Sequence, residues 1–476
     1  MKQYIRVKEY QKRLTKNMLL ADVTKELSKE TADFDKKRIE GIESERDVIR
    51  DVTNYVLAPA LNGFVAWVLT ESMRLGIKRL YFLARDGYFM YRTALFYVKE
   101  FGLPMECKYL YCSRYSIRVP NYHFDTEKAL DYITLGGLDI TAKKLYKRAG
   151  FNGKQRKKMY EEQVLPMSKE EQIPREQLPE IKKALSENES FMEMLLENSC
   201  QAFPMYESYL KQEGLLDEVP MALVDSGWVG SMQKELNLSL QKLGKKEALK
   251  GFYWGLYELP QETRRADYFT YFFSPEGEMK RKIGFNNCLF ESIFTAPHGM
   301  TLGYEERKGE ICPVFSEISE ERKKRLLLME ETINQWQKDF KKSVKNLPDL
   351  LVLERLGGKE VLTIIERNLE GFMHHPTKEE AAAFGEIEFT DDILEYQGNK
   401  IATNLNEKEL AQNHLAGKVW TKLSGNKEHV RQSAWYEGSA VVYGKHPKYH
   451  IFHYSFYKYA MNYRKQMMWR RRYEGN

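Results

Sequence analysis

RLYFLARDG, residues 79–87, reads as a buried strand that runs into a tight turn. Residues 88–100 continue as a helix that Gly102 ends, and a second apolar strand follows at 109–112. A strand, a helix and a strand within about 35 residues form a βαβ unit, which favours a parallel sheet with ligands at the carboxyl ends of its strands. The sequence therefore predicts an α/β, Rossmann-like fold with a mostly parallel sheet.

Outward from this unit, the pattern divides the chain into four parts. Further strands are predicted at 220–224, 249–257 and 268–273, with a helix at 232–243. From residue 305 onward the pattern is mainly helical. The expected parts are a helical lead at 1–50, an α/β core at 51–310 with a helical insertion at about 121–215, a mainly helical region at 311–445, and a basic aromatic tail at 446–476.

Composition indicates a globular protein and argues against several other classes. The 476 residues are 42% hydrophobic, enough for a large core, and the net charge of +6 gives no argument for nucleic acid. Five cysteines without a CxxC pair favour a reducing compartment and predict neither a disulfide framework nor a redox site. The N-terminus shows no signal-peptide pattern, and the apolar run at 56–69 is shorter than the roughly 20 residues that cross a bilayer. We expect a cytoplasmic protein in which that run is a buried helix.

Arg85 and Asp86 emerge from an otherwise apolar strand, so they need solvent, a partner or a ligand. The planar fork of an arginine can bind two phosphate oxygens, and Asp86 could hold Mg²⁺ or accept a proton from a hydroxyl. The alternative is an internal Arg85–Asp86 pair that only closes the turn.

DSGWVGS, residues 225–231, is a second candidate site. It follows the strand at 220–224 with an acidic residue, a glycine-containing loop and a helix start, a pattern suited to binding a phosphate. Asp225 could accept hydrogen bonds from sugar hydroxyls. An ordinary tight turn that needs glycine for its geometry explains the same residues.

Four segments in one order carry a resemblance to a known family: LNGFVAWVLTESMRLGIKRLYFLARDGYFMYRTALFY, LYCSRYSIRVP, ALVDSGWVGSMQKEL and LFESIFTAPHGMTLGY. They resemble the glycan phosphoribosyltransferase half of bacterial dual-domain ribofuranosyltransferases, in which this half usually follows a haloacid dehalogenase-like phosphatase. The resemblance covers residues 50–310 and weakens toward 440. It implies a Mg²⁺-dependent enzyme of surface polysaccharide biosynthesis, such as O-antigen or capsule, that moves ribose 5-phosphate from phosphoribosyl pyrophosphate to a lipid-linked glycan acceptor.

Carried over by position, the resemblance also implies site residues. Asp86, Asp225 and Glu291 are the expected catalytic residues, Asp86 is the expected metal ligand, and His298 is a secondary candidate. Expected contacts to the donor come from Arg85, Gly87, Ser113, Arg114, Ser226, Gly227, Trp228, Gly230, Ser231 and Gln233.

Two departures from related patterns matter. Ordinary phosphoribosyltransferases usually place two adjacent acidic residues before the phosphate loop, whereas here Ser226 follows Asp225, so the ribose contact depends on one carboxylate. The dehalogenase nucleophile needs an aspartate with a second acid two residues later, and Asp86-Gly87-Tyr88 does not supply it. The chain therefore resembles the transferase half alone, and a separate phosphatase is the expected partner.

Other polar residues leave alternatives open. His298, in a Pro-Gly turn, fits a structural role as well as phosphate or acid–base contact, and Glu291 could equally cap a helix or form a salt bridge. His374-His375 and the trio of His446, His450 and His453 lack a matching carboxylate or cysteine set, so no zinc is predicted.

The tail from residue 445 interleaves lysine and arginine with tyrosine, phenylalanine and tryptophan, a composition typical of segments at a membrane surface. RNA binding and a helix docked on the protein body are the alternatives. For the whole chain, the rival functions are a sugar-nucleotide glycosyltransferase, a dehalogenase-type phosphatase, and a non-catalytic scaffold that recruits assembly enzymes to the membrane.

Overall fold

A five-stranded parallel sheet forms the centre of the molecule, with strand order β2-β1-β3-β4-β5. The computed structural model describes residues 2–30, 44–136, 140–165, 167–389, 399–423 and 430–473. It confirms the α/β, Rossmann-like fold with a parallel sheet and a helical C-terminal portion. The strands are β1 (Arg79–Leu83), β2 (Glu106–Leu110), β3 (Met221–Trp228), β4 (Lys250–Leu256) and β5 (Tyr268–Phe273).

Alternation along β1 assigns its side chains to two cores. Leu80 and Phe82 pack with the long apolar helix that ends at Arg74, while Tyr81 and Leu83 pack on the opposite face of the sheet. Both faces of a parallel sheet are covered, which explains why its strands read as nearly continuous apolar runs.

Helices precede the sheet, connect β1 to β2 and fill the insertion between β2 and β3. The insertion has a hydrophobic core of its own, built from residues between Val119 and Leu195. These helices are α1 (Lys2–Leu14), α2 (Met18–Glu30), α3 (Glu45–Val52), α4 (Ala58–Arg74), α5 (Gly87–Glu100), α6 (Arg114–Asn121), α7 (Thr126–Ile133), α8 (Ala142–Arg148), α9 (Gly153–Glu161), α10 (Leu178–Glu187) and α11 (Glu189–Gln212), with a π-helical turn at Thr53–Leu57 and 3-10 turns at Tyr122–Phe124 and Arg175–Gln177.

The remaining helices complete the core and the C-terminal region. They are α12 (Ser231–Lys242), α13 (Met279–Gly284), α14 (Asn287–Ile293), α15 (Glu320–Ser343), α16 (Asp349–Leu356), α17 (Lys359–Leu369), α18 (Lys378–Gly385), α19 (Glu407–Gln412), α20 (Leu415–Leu423), α21 (Tyr436–Tyr443) and α22 (Pro447–Tyr473), with a 3-10 turn at Arg265–Asp267 and a π-helical turn at Glu370–His374.

The prediction of a mainly helical chain from residue 305 is wrong at its start. A β-hairpin, β6 (Thr301–Arg307) and β7 (Glu310–Phe315), occupies this stretch, and a two-residue strand pair, β8 (Glu388–Phe389) and β9 (Asn399–Lys400), lies further on. Lys308 and Gly309 turn the hairpin with φ of 54° and 84°. Two consecutive positive φ angles are the mark of a two-residue hairpin turn.

One helical segment among the described residues, Glu45–Arg74, is long and apolar enough by length and composition to cross a membrane. Its most apolar window is 94% buried inside the protein. It includes the run at 56–69 and is a core helix of the fold, as the sequence predicted.

Candidate active site

The strand order creates a crevice between β1 and β3. The chain leaves β1 through α5 to reach β2 on one side, and β3 pairs with the other side of β1. Connections diverge at such a point, and ligands of open α/β sheets bind there, outside the carboxyl ends of the strands. A cavity of about 260 Å³ lies at this position, lined by Ala84, Arg85, Asp86, Cys112, Ser113, Arg114, Asp225, Ser226, Gly227, Met232, Glu291, Ser292, Thr295, Met300, Arg322, Ile387, Glu388 and Phe389.

The turn after β1 brings Asp86 to the cavity. The Ala84–Arg85 peptide is cis, and Asp86 occupies the position just before α5 without capping the helix through its side chain. Its carboxylate instead accepts a hydrogen bond from the Ser226 hydroxyl on β3. Gly87 begins the helix, where an added Cβ would lie 3.0 Å from the Phe82 carbonyl carbon. Glycine therefore allows the helix to pack closely against its own strand.

The predicted glycine loop at 225–231 is wrong in its extent. β3 does not end at residue 224 but continues to Trp228, with Gly227 paired to Gly255 of β4. The φ of Gly227 is 111°, and a Cβ there would collide with the Gly255 carbonyl oxygen. Gly227 thus serves strand pairing, and Asp225 lies within a strand and not in a phosphate-binding loop.

Asp225 and Glu291 are carboxyls of the cavity wall with shifted pKa values. Burial raises the pKa of Asp225 well above its usual range, and the nearby Asp86 carboxylate raises it further. The pKa of Glu291 is raised by the same two causes in the same order. Arg114 and hydrogen bonds oppose both shifts, including one that the Trp228 indole donates to Glu291. Asp86, Asp225 and Glu291 therefore form a group of mutually repelling acids that favours a bound cation or proton.

Arg85, Arg114 and Arg322 supply the basic side chains of the cavity wall. Arg114 is the first residue of α6, after Ser113, whose hydroxyl accepts from the Ser116 amide at 3.0 Å and donates to the Thr301 carbonyl at 2.6 Å. The Arg322 guanidinium donates to the Thr295 hydroxyl at 2.6 Å. Three guanidinium groups beside three carboxyls suit a ligand that has both phosphates and hydroxyls.

Eight of the predicted site residues lie on the cavity wall, and six do not. Gln233 is buried behind the wall, where it donates to the Leu249 and Asp267 carbonyls at 2.8 and 3.1 Å and accepts from the Tyr253 hydroxyl at 2.7 Å. Gly230 caps α12 against the Tyr268 ring, with φ of 71°. The residues outside the wall are Gly87, Trp228, Gly230, Ser231, Gln233 and His298.

His298 has a structural environment. Its Nδ1 donates to the Gly299 carbonyl at 2.8 Å, so its Nε2 accepts from the Tyr109 hydroxyl, also at 2.8 Å. The rings of Tyr111 and Phe315 pack on it. Burial lowers the pKa of this histidine, which favours the neutral ring.

Sequence reasoning did not identify Arg322, Thr295 or the segment 387–389 as part of the cavity. Arg322 stands in the charged run at 320–325, where nothing distinguishes it from its neighbours. Thr295 could have been suspected, because it lies between Glu291 and His298 in a segment that already carried candidates. Residues 387–389 are distant in sequence from the other wall residues, and the packing of the C-terminal region brings them to the cavity.

A larger groove of about 890 Å³ adjoins the cavity and shares Ser292, Arg322, Ile387 and Glu388 with it. Its outer part lies along the first turns of α15, where Leu327 is 57% exposed. The cavity thus opens into a groove with room for a second, larger ligand.

The carboxylate oxygens fit Mg²⁺ better than zinc. Among the described residues, no group of three or more His, Cys, Asp or Glu side chains is arranged to hold a metal ion by itself. Mg²⁺ is commonly held by one or two carboxylates together with substrate phosphates. Asp86, with Asp225 beside it, has the oxygens for that arrangement and an excess of negative charge that a cation would offset.

Comparison of the chain with protein-family models finds no match, and comparison with curated proteins finds none.

Proposed function

We propose that the chain is a glycan phosphoribosyltransferase that moves ribose 5-phosphate from phosphoribosyl pyrophosphate to a glycan acceptor. The observation that carries the proposal is the grouping of Asp86, Asp225 and Glu291 with arginines in one cavity at the switch point of the sheet. The donor has two phosphorylated ends and two ring hydroxyls, so it needs cationic contacts and hydrogen-bond acceptors in one small space. The four-segment family resemblance supports the same reaction.

The proposed reaction is a displacement at the anomeric carbon. The bond from that carbon to the pyrophosphate oxygen breaks, the acceptor hydroxyl forms a new bond to the carbon, and its proton passes to a carboxylate that does not hold the metal, for which Glu291, with its raised pKa, is the candidate. Arg85 stabilises charge on the leaving phosphates. Asp86 and Asp225 are the residues that would hold Mg²⁺, and the ion supplies positive charge for the pyrophosphate when bound.

Donor size and chemistry distinguish this proposal from a sugar-nucleotide transferase. A cavity of about 260 Å³ suits a compact donor. Among its described lining residues, Phe389 is the one aromatic side chain, so the wall offers little surface for stacking a base. The adjoining groove would accept the glycan, at the cytoplasmic face of the plasma membrane, where lipid-linked acceptors are assembled.

Calorimetry on the purified chain tests donor choice. Phosphoribosyl pyrophosphate should bind with Mg²⁺, and Asp225→Asn should weaken this binding and transfer by at least about tenfold. Glu247→Gln, an exposed carboxyl change, is the matched control and should behave as wild type. Tight binding of a nucleotide sugar without any response to phosphoribosyl pyrophosphate would refute the proposal.

The groove gives a second, separable test. Leu327→Asp should raise the KM for the glycan acceptor several-fold while donor affinity is unchanged, because Leu327 lies outside the cavity. Transfer is followed by mass spectrometry with lipid-linked glycan extract. An unchanged KM for the acceptor would place the acceptor elsewhere.

A further inference from the structure

The C-terminal helix α22 carries a row of exposed aromatic side chains. Its five members are 48–59% exposed and follow one another at intervals of three and four residues. That spacing places them on one helix face over about 21 Å. This aromatic row consists of Tyr449, Phe452, Phe456, Tyr459 and Tyr463.

Contacts between rings join the members of the row into two groups, and His453 packs on both Tyr449 and Phe452 in the first of them. The rings of Phe452 and Phe456 meet edge to face with centroids 5.0 Å apart, and those of Tyr459 and Tyr463 are stacked at 5.9 Å. Single exposed apolar residues are ordinary on protein surfaces, but a contiguous patch indicates an interaction site.

The opposite face of α22 anchors the helix to the protein body. His450, Ile451 and Asn462 are buried. The Lys458 ammonium donates to the Phe285 carbonyl at 2.8 Å and to the Glu437 carboxylate at 3.0 Å. The helix is therefore docked on the protein body through one face, which was one of the alternatives for the tail. Because that face is held against the body, the aromatic row faces solvent.

The neighbouring helix α20 also exposes large apolar side chains. The His414 ring, just before α20, packs against Tyr449 and stacks on His453 of α22. Trp420 and Leu423 on α20 are 73% and 77% exposed. Two adjoining helices thus present large apolar side chains to solvent.

Charge on these helices has one sign. The sequences of α20 and α22 contain no aspartate or glutamate. Lys448 stands at the start of the aromatic row, and Arg464 and Arg471 follow it, all three exposed. An anionic partner would be attracted along the whole surface.

We propose that the aromatic row, with its flanking basic residues and α20, binds the headgroup layer of an anionic lipid membrane. Tyrosine and tryptophan prefer this layer, and lysine and arginine nearby bind its phosphates. A second copy of the chain would bring like charges together at the same surface. Nucleic-acid bases stack on exposed rings, but the exposed Leu423, Met461 and Met468 of the same two helices give bases no ring to stack on and suit an apolar lipid layer. The inference does not depend on the transferase activity.

Sedimentation with vesicles tests the proposal on the full chain, without donor or acceptor. Binding should require phosphatidylglycerol, be weak on phosphatidylcholine alone, and decrease as salt is raised. Phe452→Ser/Phe456→Ser should reduce binding to anionic vesicles at least about tenfold, since each change removes a phenyl group that membrane binding would transfer from water into the headgroup layer. The matched control, Phe124→Ser/Leu350→Ser, alters residues that are 40% and 50% exposed outside these helices and should leave binding unchanged.

A charge variant keeps the test independent of the aromatic changes. Lys448→Gln/Arg464→Gln should lower the affinity for anionic vesicles and make it less sensitive to salt. Lys157→Gln/Lys183→Gln, on the helical insertion, should leave both the affinity and its salt sensitivity unchanged. Thermal unfolding checks that each variant is folded. Undiminished vesicle binding by both folded row variants would overturn the proposal. Two other results would overturn it if vesicle binding persists in the row variants. One is a dimer, seen by sedimentation velocity, that the row variants abolish. The other is binding of an RNA oligonucleotide that the row variants abolish.

Discussion

The hydroxyl of Ser226 on β3 donates a hydrogen bond to the carboxylate of Asp86 at the end of β1. This bond crosses the switch point of the sheet and joins the two strands that form the crevice. It orients one carboxylate oxygen of Asp86 toward β3. Ser226 also follows Asp225 directly, so one strand positions two of the three acids around the cavity.

Ser226→Ala should test whether this orientation matters for transfer. Loss of a hydrogen bond to a charged group should reduce kcat about tenfold or more, with little change in thermal stability. Ser292→Ala is the matched control, because Ser292 lines the same cavity but donates to the Cys288 carbonyl at 2.7 Å. Equal effects of the two changes on kcat would show that the Ser226–Asp86 bond is only structural.

Asp86→Asn and His298→Ala should differ in kind. Asp86 lies on the cavity wall, so its change should abolish transfer while the protein stays folded. His298 packs among rings and accepts from Tyr109, so its change should lower the thermal midpoint by a few degrees and reduce transfer less. The measurements are initial rates and thermal unfolding of both variants. A larger loss of transfer in His298→Ala would reverse this ranking.

The fold was predictable where short-range signals agree. β5 was predicted at its observed bounds, and α5 and α12 within a residue at each end, because apolar strands, helix periodicity and glycine ends coincide there. β2 was predicted too late, at 109–112, because the polar residues Glu106 and Lys108 hide its first half. These side chains are tolerated because β2 is an edge strand and is covered less completely. The β6–β7 hairpin was missed although Lys308-Gly309 is a recognisable turn.

The site was predictable in its strand-end part only. Asp86 and Asp225 follow from the rule that parallel strands bring their carboxyl ends to one edge. Arg322 enters from a helix nearly 100 residues beyond β3, and no local pattern indicates such a tertiary contact. Trp228 was expected at the ligand, but it lies off the cavity wall and donates to Glu291, which is on the wall. Gln233 was expected there too, but it is buried among Tyr253 and two backbone carbonyls, none of them on the wall. The spacing of residues in the sequence predicts which residues lie near the site. It does not predict whether their side chains point into the cavity.

The raised pKa values of Asp225 and Glu291 predict how stability changes with pH. The folded state binds these protons more tightly than the unfolded state, so their stabilising contribution is complete below the unfolded pKa near 4 and is lost as the pH rises through the folded values. Asp225→Asn/Glu291→Gln removes both titrations. The thermal midpoint of this double variant should therefore be higher than that of wild type at about pH 8.5. At about pH 5 the difference between the two midpoints should be smaller.

Thermal unfolding across this pH range, with the exposed Glu247→Gln as control, checks the expectation. Mg²⁺ with phosphoribosyl pyrophosphate should stabilise wild type more at the higher pH, because binding competes with protons for the same carboxylates. The double variant should gain little from the same additions. A difference between the midpoints of variant and wild type that does not change with pH would contradict the assigned shifts.

The product of this chain acting alone should still carry its 5-phosphate. A dehalogenase-type phosphatase needs an aspartate with a second acid two residues later, and neither cavity aspartate has one: Tyr88 follows Asp86 by two residues, and Gly227 follows Asp225 by two. Mass spectrometry of the glycan after transfer should therefore show an added ribose 5-phosphate, which general phosphatase converts to ribose. Unchanged mass after incubation without phosphatase is the control. If the purified chain instead adds ribose without a phosphate, the protein has a second, hydrolytic site. A separate phosphatase would then not be needed.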